Sequence, residues 1–243
     1  MRYHRAPVNL LLLAPDEIAA DRTALLTGRR HEHAREVLRV QAKDVLRVGV
    51  RGGKCGTGEV VSEGHEGLRL RVTLDQNPPP RSGASLVLAI PRPKALRRVI
   101  PAIASLGVDR VVLINAARVE KSYFDSSVLA PAYLDSLVDL GLEQARDTRP
   151  PVIEIRERFR PFVEDELDAW AGASLRLLPH PAAEASLPRV EANRPVVLAI
   201  GPDGGWVPFE VDLLERCGFV PVSLGPRVLR VEVAVNYILG RVR

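Results

Sequence analysis

The chain has 243 residues, of which 46% are hydrophobic, and 34 Lys and Arg against 30 Asp and Glu give a formal net charge of +4. This composition excludes a disordered chain, because disordered chains have too few apolar residues to form a core. The small positive charge gives only a mild preference for a polyanionic partner. The two cysteines lie far apart without neighbouring His or Cys, so they predict no metal site. Together with the absence of a targeting signal, they lead us to expect a cytoplasmic protein.

Residues 1–76 are predicted to form a small β-barrel. Short β-type runs at 45–50, 58–62 and 68–74 are separated by glycine-containing turns. One helix is predicted to interrupt the barrel, at residues 31–40, before these runs. Such a series of short strands and tight turns is typical of a small antiparallel barrel.

The best domain boundary lies at residues 76–83. Pro78, Pro79 and Pro80 stiffen the chain there and remove three backbone donors just before a new apolar run. We therefore predict two domains, residues 1–76 and residues 84–243.

The second domain alternates strand and helix patterns, which is typical of an α/β fold with a mostly parallel sheet. Pro101 falls inside the first of its helices, where we expect it to kink the helix or end it early. The predicted strands are 86–90, 110–114, 152–155, 175–178, 196–200 and 220–224, and the predicted helices are 94–106, 132–145, 162–171, 208–216 and one from residue 232.

Two glycine-proline loops near the C-terminus are the strongest functional signal. One runs through Gly201-Pro-Asp-Gly-Gly205 and the other begins at Gly225-Pro226, and each directly follows a predicted strand. Ligands of open α/β sheets bind at the carboxyl ends of strands, so we expect two neighbouring strands with adjacent loops and a ligand between them. The alternative is a pair of tight connections without a ligand. Neither loop matches the common phosphate-binding patterns, which disfavours a nucleoside triphosphate or a dinucleotide.

Three charged residues follow the second loop, namely Arg227, Arg230 and Glu232. The arginines can bind a phosphate or a developing oxyanion, and the carboxylate can orient an arginine or move a proton. The alternative is a surface ion pair at a helix start, where the helix dipole favours Glu. The spacing alone leaves both interpretations open.

These motifs resemble a known family. The run from Ile200 to Gly205, followed by Ser223-Leu-Gly-Pro-Arg-Val-Leu-Arg-x-Glu232-x-Ala234, is similar to the C-terminal signature of the RsmE family. This family belongs to the SPOUT superfamily and uses S-adenosyl-L-methionine to methylate N3 of a uridine in small-subunit (16S) rRNA. Met1-Arg2-x-x-Arg5, His33-x-x-x-Val-Leu-Arg39 and Glu143-Gln144 extend the likeness over nearly the whole chain.

The resemblance implies a PUA-like N-terminal barrel, a C-terminal trefoil knot and a homodimer. S-adenosylmethionine would lie between the two glycine loops, and no metal would be needed. Catalysis would fall to Arg230 or Arg227, stabilising charge on the uracil, and to Glu232 as base or as the group that orients the arginine. The implied cofactor-binding residues are Leu198, Ile200, Gly201, Gly205, Ser223, Leu224, Gly225, Val228 and Leu229.

Several basic residues are candidates for RNA contact, and for each the alternative is an ordinary solvated side chain. Trp206 can stack on a base or cap the following helix against the core, and we favour the core. His65 and His180 are expected to be surface loop residues. The candidate RNA-binding residues are Arg2, Arg5, His33, Arg39, Arg92 and Lys94.

This sequence also departs from the family pattern, mostly on the substrate side. Asp203 stands where Glu is usual, and Val231 and Val233 stand where Thr is common; Ala116-Ala117 and Ala145-Arg146 replace Thr-Glu and Ser-Gly. Two alternatives therefore stay open. One is a related enzyme acting on another rRNA or tRNA position, and the other is an RNA-binding or ribosome-assembly protein with weakened catalysis.

Overall fold

The computed structural model describes residues 9–191 and 194–242. Its contacts divide the chain into two compact units. The first contains the described residues up to Pro80 together with Asp139–Pro150, and the second contains Arg81–Val138 and the described residues from Pro151 onward.

The first unit is built on a mixed five-stranded sheet in the order β1-β3-β4-β5-β2. Strands β1 and β3 pair in parallel, and the other neighbours pair antiparallel. The helical segment precedes β3 and combines α1, Gly28–His33, with a π-helical turn, Ala34–Leu38. The strands are β1 Leu11–Leu13, β2 Thr23–Leu26, β3 Val45–Val50, β4 Cys55–Gly64 and β5 Gly67–Gln76.

The core of the first unit follows from the alternation along its strands. On β5, Leu68, Leu70 and Val72 are buried while the residues between them are exposed. A strand directs successive side chains to opposite faces, so one face of this sheet packs inward and the other faces solvent. The sequence predicted β3, β4 and β5 but not the short strands β1 and β2.

The second unit is an α/β domain, as predicted. Its six strands all pair in parallel, in the order β11-β9-β10-β6-β7-β8. The central strands are almost continuously apolar and buried, which is expected when both faces of a parallel sheet are covered. The strands are β6 Ala84–Ala89, β7 Arg110–Ile114, β8 Val152–Arg156, β9 Leu175–Pro179, β10 Val196–Ile200 and β11 Val220–Val222.

Helices connect these strands, and α2, α3 and α6 begin at a proline, whose fixed φ suits a first helical turn. Helix α3 runs on into residues that group with the first unit. The helices are α2 Pro93–Ser105, α3 Pro131–Ala145, α4 Phe159–Pro161, α5 Leu167–Ala171, α6 Pro208–Arg216 and α7 Val231–Leu239.

One expectation about the second unit is wrong, and one of the two alternatives for Pro101 is excluded. Strands β10 and β11 are not neighbours, because β9 is inserted between them. The first helix also does not end early at Pro101, since α2 continues to Ser105. Ile100, Ile103 and Ala104 are buried on both sides of the proline, so packing on the core sustains the helix despite its missing hydrogen bond.

Candidate functional site

The first glycine loop starts where β10 ends. All five residues of β10 are buried, and the strand lies between β6 and β9. A methyl group at Gly201 would lie 3.1 Å from the backbone nitrogen of Trp206 and 3.2 Å from the Nε1 atom of its indole. The loop therefore turns back closely on itself, and glycine at position 201 is what makes this approach possible.

The loop after β7 holds this glycine loop at two points. The buried carboxylate of Glu210 accepts hydrogen bonds from the backbone nitrogen of Ala117 at 2.7 Å and from that of Val207 at 3.0 Å. The guanidinium of Arg118 donates to the carbonyl oxygen of Gly204. These charge-assisted bonds fix the glycine loop against the carboxyl end of β7.

Two hydrogen bonds hold the second glycine loop, one to a distant part of the chain and one within the loop. The backbone nitrogen of Ser223 donates to the carbonyl of Ala185 at 2.7 Å, and that of Gly225 donates to the hydroxyl of Ser223 at 3.2 Å. Gly225 has a φ of 109°, a conformation that residues with a Cβ atom rarely adopt. Arg227 and Val228 follow on the exposed surface of the loop.

Both glycine loops line one cavity of about 210 Å³ at the carboxyl ends of β9, β10 and β11. Because β9 lies between the other two strands, the segment at its carboxyl end, Pro179-His180-Pro181, also lines the cavity. Among the predicted cofactor-binding residues, Leu198 is fully buried inside β10 and, like Ser223, does not line the cavity. Those that line it are Ile200, Gly201, Gly205, Leu224, Gly225, Val228 and Leu229.

Trp206 belongs both to the core and to the cavity wall. Its side chain is 4% exposed, and its ring packs on Phe159 with a centroid separation of 5.4 Å. It is nevertheless one of the residues that line the cavity. Its indole Nε1 is buried and has no hydrogen-bond partner in the described part of the chain. The ring therefore anchors the first glycine loop to the core, as favoured from the sequence.

Glu232 lies in the first turn of α7 with its side chain 15% exposed. Its Oε1 atom is 3.8 Å from a guanidinium nitrogen of Arg98 on α2, and its Oε2 atom is buried without a hydrogen-bond partner among the described residues. Arg227 lines the cavity, whereas Arg230 is the exposed residue that precedes α7. Within the described ranges neither arginine forms an ion pair with Glu232, so its charged partner comes from α2.

The comparison with known families decides the class of protein. The protein-family model described as "RNA methyltransferase domain" matches residues 78–243, which is more than half of the chain. The chain belongs to this RNA methyltransferase family. The matched region covers both glycine loops, the cavity and Glu232.

Curated relatives confirm the resemblance to the RsmE family, and two solved structures share the fold of this chain. The ribosomal RNA small subunit methyltransferase E of Treponema pallidum is 28% identical over 93% of this chain and 87% of its own length, and that of Mycobacterium bovis is 29% identical over 90% and 85%. The crystal structure of the Neisseria gonorrhoeae methyltransferase E bound to S-adenosyl methionine has a TM-score of 0.76 at 19% identity, covering 96% of this chain and 95% of that one. A Legionella pneumophila methyltransferase solved with bound cofactor SAM has a TM-score of 0.74 at 24% identity, covering 95% of both chains.

The candidate RNA-binding residues of this methyltransferase are distributed over both units. His33 is half-buried at the end of α1, and Arg39 is exposed with a left-handed φ of 51°. Arg92 and Lys94 are exposed at the start of α2, and the guanidinium of Arg92 lies 3.8 Å from the carboxylate of Asp203 in the first glycine loop. Arg2 and Arg5 lie outside the described residues.

Three side chains at or near the site were not recognised from the sequence. His180 was expected to be a surface loop residue, but it is half-buried and lines the cavity. Arg98 pairs with Glu232, and Arg118 holds the first glycine loop. His180 and Arg118 both follow the carboxyl end of a parallel strand, and this position was the available signal. Nothing in the spacing indicated Arg98.

Other chemical groups in the described part of the chain are less informative. No described helix has the length and apolar character needed to cross a membrane. The described His, Cys, Asp and Glu side chains form no group able to hold a metal ion. Cys55 and Cys217 are free thiols, and burial raises the pKa of each, so both stay protonated at neutral pH.

Proposed function

We propose that this RNA methyltransferase uses S-adenosylmethionine to methylate N3 of a uridine in small-subunit rRNA. The observation that carries the proposal is the cavity at the carboxyl ends of β9, β10 and β11, within the region matched by the family. The names of the curated relatives and the bound cofactor of two structural neighbours support the choice of substrate and methyl donor.

The residues of the cavity fit this methyl donor chemically. Apolar side chains such as Ile200 and Leu224 suit a nucleoside, and the glycines expose backbone groups. The cavity also offers one cation, Arg227, and one carboxylate, Asp203, which suit a ligand that carries both signs of charge. When bound, S-adenosylmethionine supplies a methyl group already activated by its positively charged sulfur.

The chain's own residues would manage the charge on the uracil. N3 carries a proton, so its attack requires that proton to leave and negative charge to spread to the neighbouring carbonyl oxygens. Arg230 or Arg227 stabilises that charge. Glu232 accepts the N3 proton at its carboxylate or orients an arginine, and its buried, unpartnered Oε2 leaves one acceptor available.

The finer architecture of the proposal is a trefoil knot in residues 84–243 and a PUA-like RNA-binding barrel in residues 1–76. The knot is supported by the path of the chain around β9 and β10. Strand β11 lies on one side of β9 and β10, and β6 lies on the other side. Helix α7 follows β11 and helix α2 follows β6, and the two helices pack against each other. The barrel is supported by the mixed five-stranded sheet of the first unit.

We also propose a homodimer that works in the cytoplasm. Large apolar or aromatic side chains are exposed on two helices, at Val233 and Tyr237 of α7 and at Tyr133 of α3. Exposed side chains of this kind are typical of protein–protein interfaces. Sedimentation equilibrium should give twice the mass of the chain. A single-chain mass at micromolar concentration would contradict the dimer.

Transfer of labelled methyl groups tests the function. The protein is incubated with labelled S-adenosylmethionine and small ribosomal subunits, naked rRNA or tRNA, and modified nucleosides are mapped by mass spectrometry. We expect 3-methyluridine in small-subunit rRNA. Label only in tRNA, or at another ring position, would replace the proposed substrate by a related one.

One observation favours a second candidate, an RNA-binding protein with weakened catalysis. Val231 lines the cavity and is buried, at a position where the resemblance leads us to expect a hydroxyl-bearing threonine. Without that hydroxyl the site has one hydrogen-bonding group fewer beside Glu232. Specific binding of rRNA without methyl transfer, and no gain from a Val231→Thr variant, would favour a purely binding role.

A further inference from the structure

We propose that His180 is a ligand-binding residue of the methyl-donor cavity and donates a hydrogen bond from its Nε2 atom to the donor. This inference rests on the proposed function, because it assumes that S-adenosylmethionine occupies the cavity. The position of His180 follows from the strand order. Strand β9 lies between β10 and β11, so the residue directly after β9 falls between the two glycine loops.

The local backbone holds His180 in place. Its backbone nitrogen donates to the carbonyl of Val222 on β11 at 3.0 Å, and its carbonyl accepts from the backbone nitrogen of Ala183 at 3.1 Å. Pro179 and Pro181 flank it and restrict the backbone on both sides. A residue fixed in this way loses little conformational freedom when a ligand binds.

A hydrogen bond to the ring defines its tautomer. The backbone nitrogen of Ala182 lies 3.3 Å from Nδ1 of His180. Because a backbone N–H can only donate, Nδ1 is the unprotonated acceptor, and a neutral ring then carries its proton on Nε2. Nε2 has no hydrogen-bond partner among the described residues, so the ring offers one N–H donor to a ligand of the cavity.

A pair of substitutions separates the two ring nitrogens. His180→Asn keeps an acceptor close to the position of Nδ1 but removes the Nε2 donor, whereas His180→Gln places an amide N–H near the position of Nε2. We expect His180→Asn to bind S-adenosylmethionine about three- to tenfold more weakly, as for the loss of one hydrogen bond, and His180→Gln to recover most of the affinity. His65→Asn, in the exposed turn between β4 and β5, is the matched control and should bind like the parent.

Isothermal titration calorimetry with S-adenosylmethionine and with S-adenosylhomocysteine measures these affinities without any catalytic turnover. Unchanged affinity in His180→Asn would overturn the role of His180. A parent protein that binds neither compound would instead overturn the proposed function, so the two failures are distinguishable.

Nitrogen-15 NMR of the imidazole rings tests the tautomer directly. The resonances of His180 are identified by their absence from the spectrum of His180→Asn. We expect Nε2 to be the protonated nitrogen. We also expect the chemical shift of its proton to change when the methyl donor binds. A ring protonated on Nδ1, or an Nε2 proton unaffected by saturating donor, would contradict the proposal.

Discussion

At the scale of single residues, the two glycine loops use glycine for different reasons. A Cβ at Gly201 would lie only 3.1 to 3.2 Å from the backbone and ring of Trp206, which is tighter than an ordinary contact. Gly225 has open space around it but adopts a φ of 109°. The sequence predicted that glycines were needed in both loops, but the reason for glycine at each position is visible only in the folded structure.

Substitution of Gly201 tests the close approach. We expect Gly201→Ala to move Trp206 and the first glycine loop by a few tenths of an ångström and to weaken binding of S-adenosylmethionine by about tenfold, because a Cβ 3.1 Å from a backbone nitrogen is tighter than an ordinary contact. Calorimetric titration measures the affinity. Gly64→Ala, where a Cβ would meet nothing within 4 Å, is the control and should leave binding unchanged.

Substitution of Glu232 tests the proposed chemistry. Glu232 is not among the residues that line the cavity, so Glu232→Gln should leave the affinity for S-adenosylmethionine intact and lower the single-turnover methylation rate by about 10²- to 10⁴-fold. Arg98→Ala should cause a smaller loss, because its guanidinium lies 3.8 Å from Glu232 and is mostly exposed. A full methylation rate in Glu232→Gln would remove Glu232 from the mechanism.

At the scale of elements, the edge strand β8 is held by a charged network. Glu154 on β8 accepts hydrogen bonds at 3.0 Å from Arg110 on β7 and from the indole of Trp170 on α5, and at 2.9 Å from Arg156. The guanidinium of Arg110 also stacks over the ring of Trp170 at 4.7 Å. The sequence predicted a strand at 152–155, but its partners on β7 and α5 emerge only when the elements pack.

This network predicts that low pH weakens the attachment of the edge strand β8 and so lowers the stability of the fold. Burial raises the pKa of the Glu154 carboxyl, but its hydrogen bonds from Trp170 and Arg110 outweigh burial and hold the pKa below its ordinary value of 4.5. The folded protein therefore gains stability from ionised Glu154 above about pH 4.5 and loses it as the pH falls through the folded-state pKa.

Glu154→Gln measures that contribution. We expect a loss of about 1 to 3 kcal/mol in the free energy of unfolding at pH 7, because the charge-assisted bonds are weakened. The loss should shrink as the pH is lowered towards 4. Urea denaturation at several pH values provides the measurement, with Glu157→Gln, an exposed neighbour, as control. Equal losses at pH 7 and pH 4 would contradict the role of the charge.

At the scale of the whole molecule, the family and the α/β class were predictable because their signals are local. The glycine loops, the Arg-Arg-Glu cluster and the strand-helix rhythm are all visible within short stretches of sequence. The order of the strands is not local. Spacing indicated that β10 and β11 were neighbours, but β9 pairs with both and brings His180 between the loops. The same limitation applies to Arg98, which reaches Glu232 only because α2 packs against α7.

The basic residues of the whole molecule predict salt-dependent binding of rRNA. If Lys94, exposed on α2, contacts one phosphate, Lys94→Ala should weaken binding and make the slope of log K against log salt less steep by about 0.7 to 0.9. Filter binding at several salt concentrations measures the slope. Lys121→Ala, another exposed lysine, is the comparison, and an unchanged slope in Lys94→Ala would exclude a phosphate contact at that position.

The sequence by itself determined the class of fold, the family and the two glycine loops, because backbone conformation and hydrophobic periodicity are set by residues close together in the chain. The tertiary structure decided which strands are neighbours, which loops share a cavity and which charged groups pair, because these depend on contacts between residues far apart in the chain. His180 illustrates the difference: a histidine between two prolines looks like an ordinary loop residue until the strand order places it between the glycine loops.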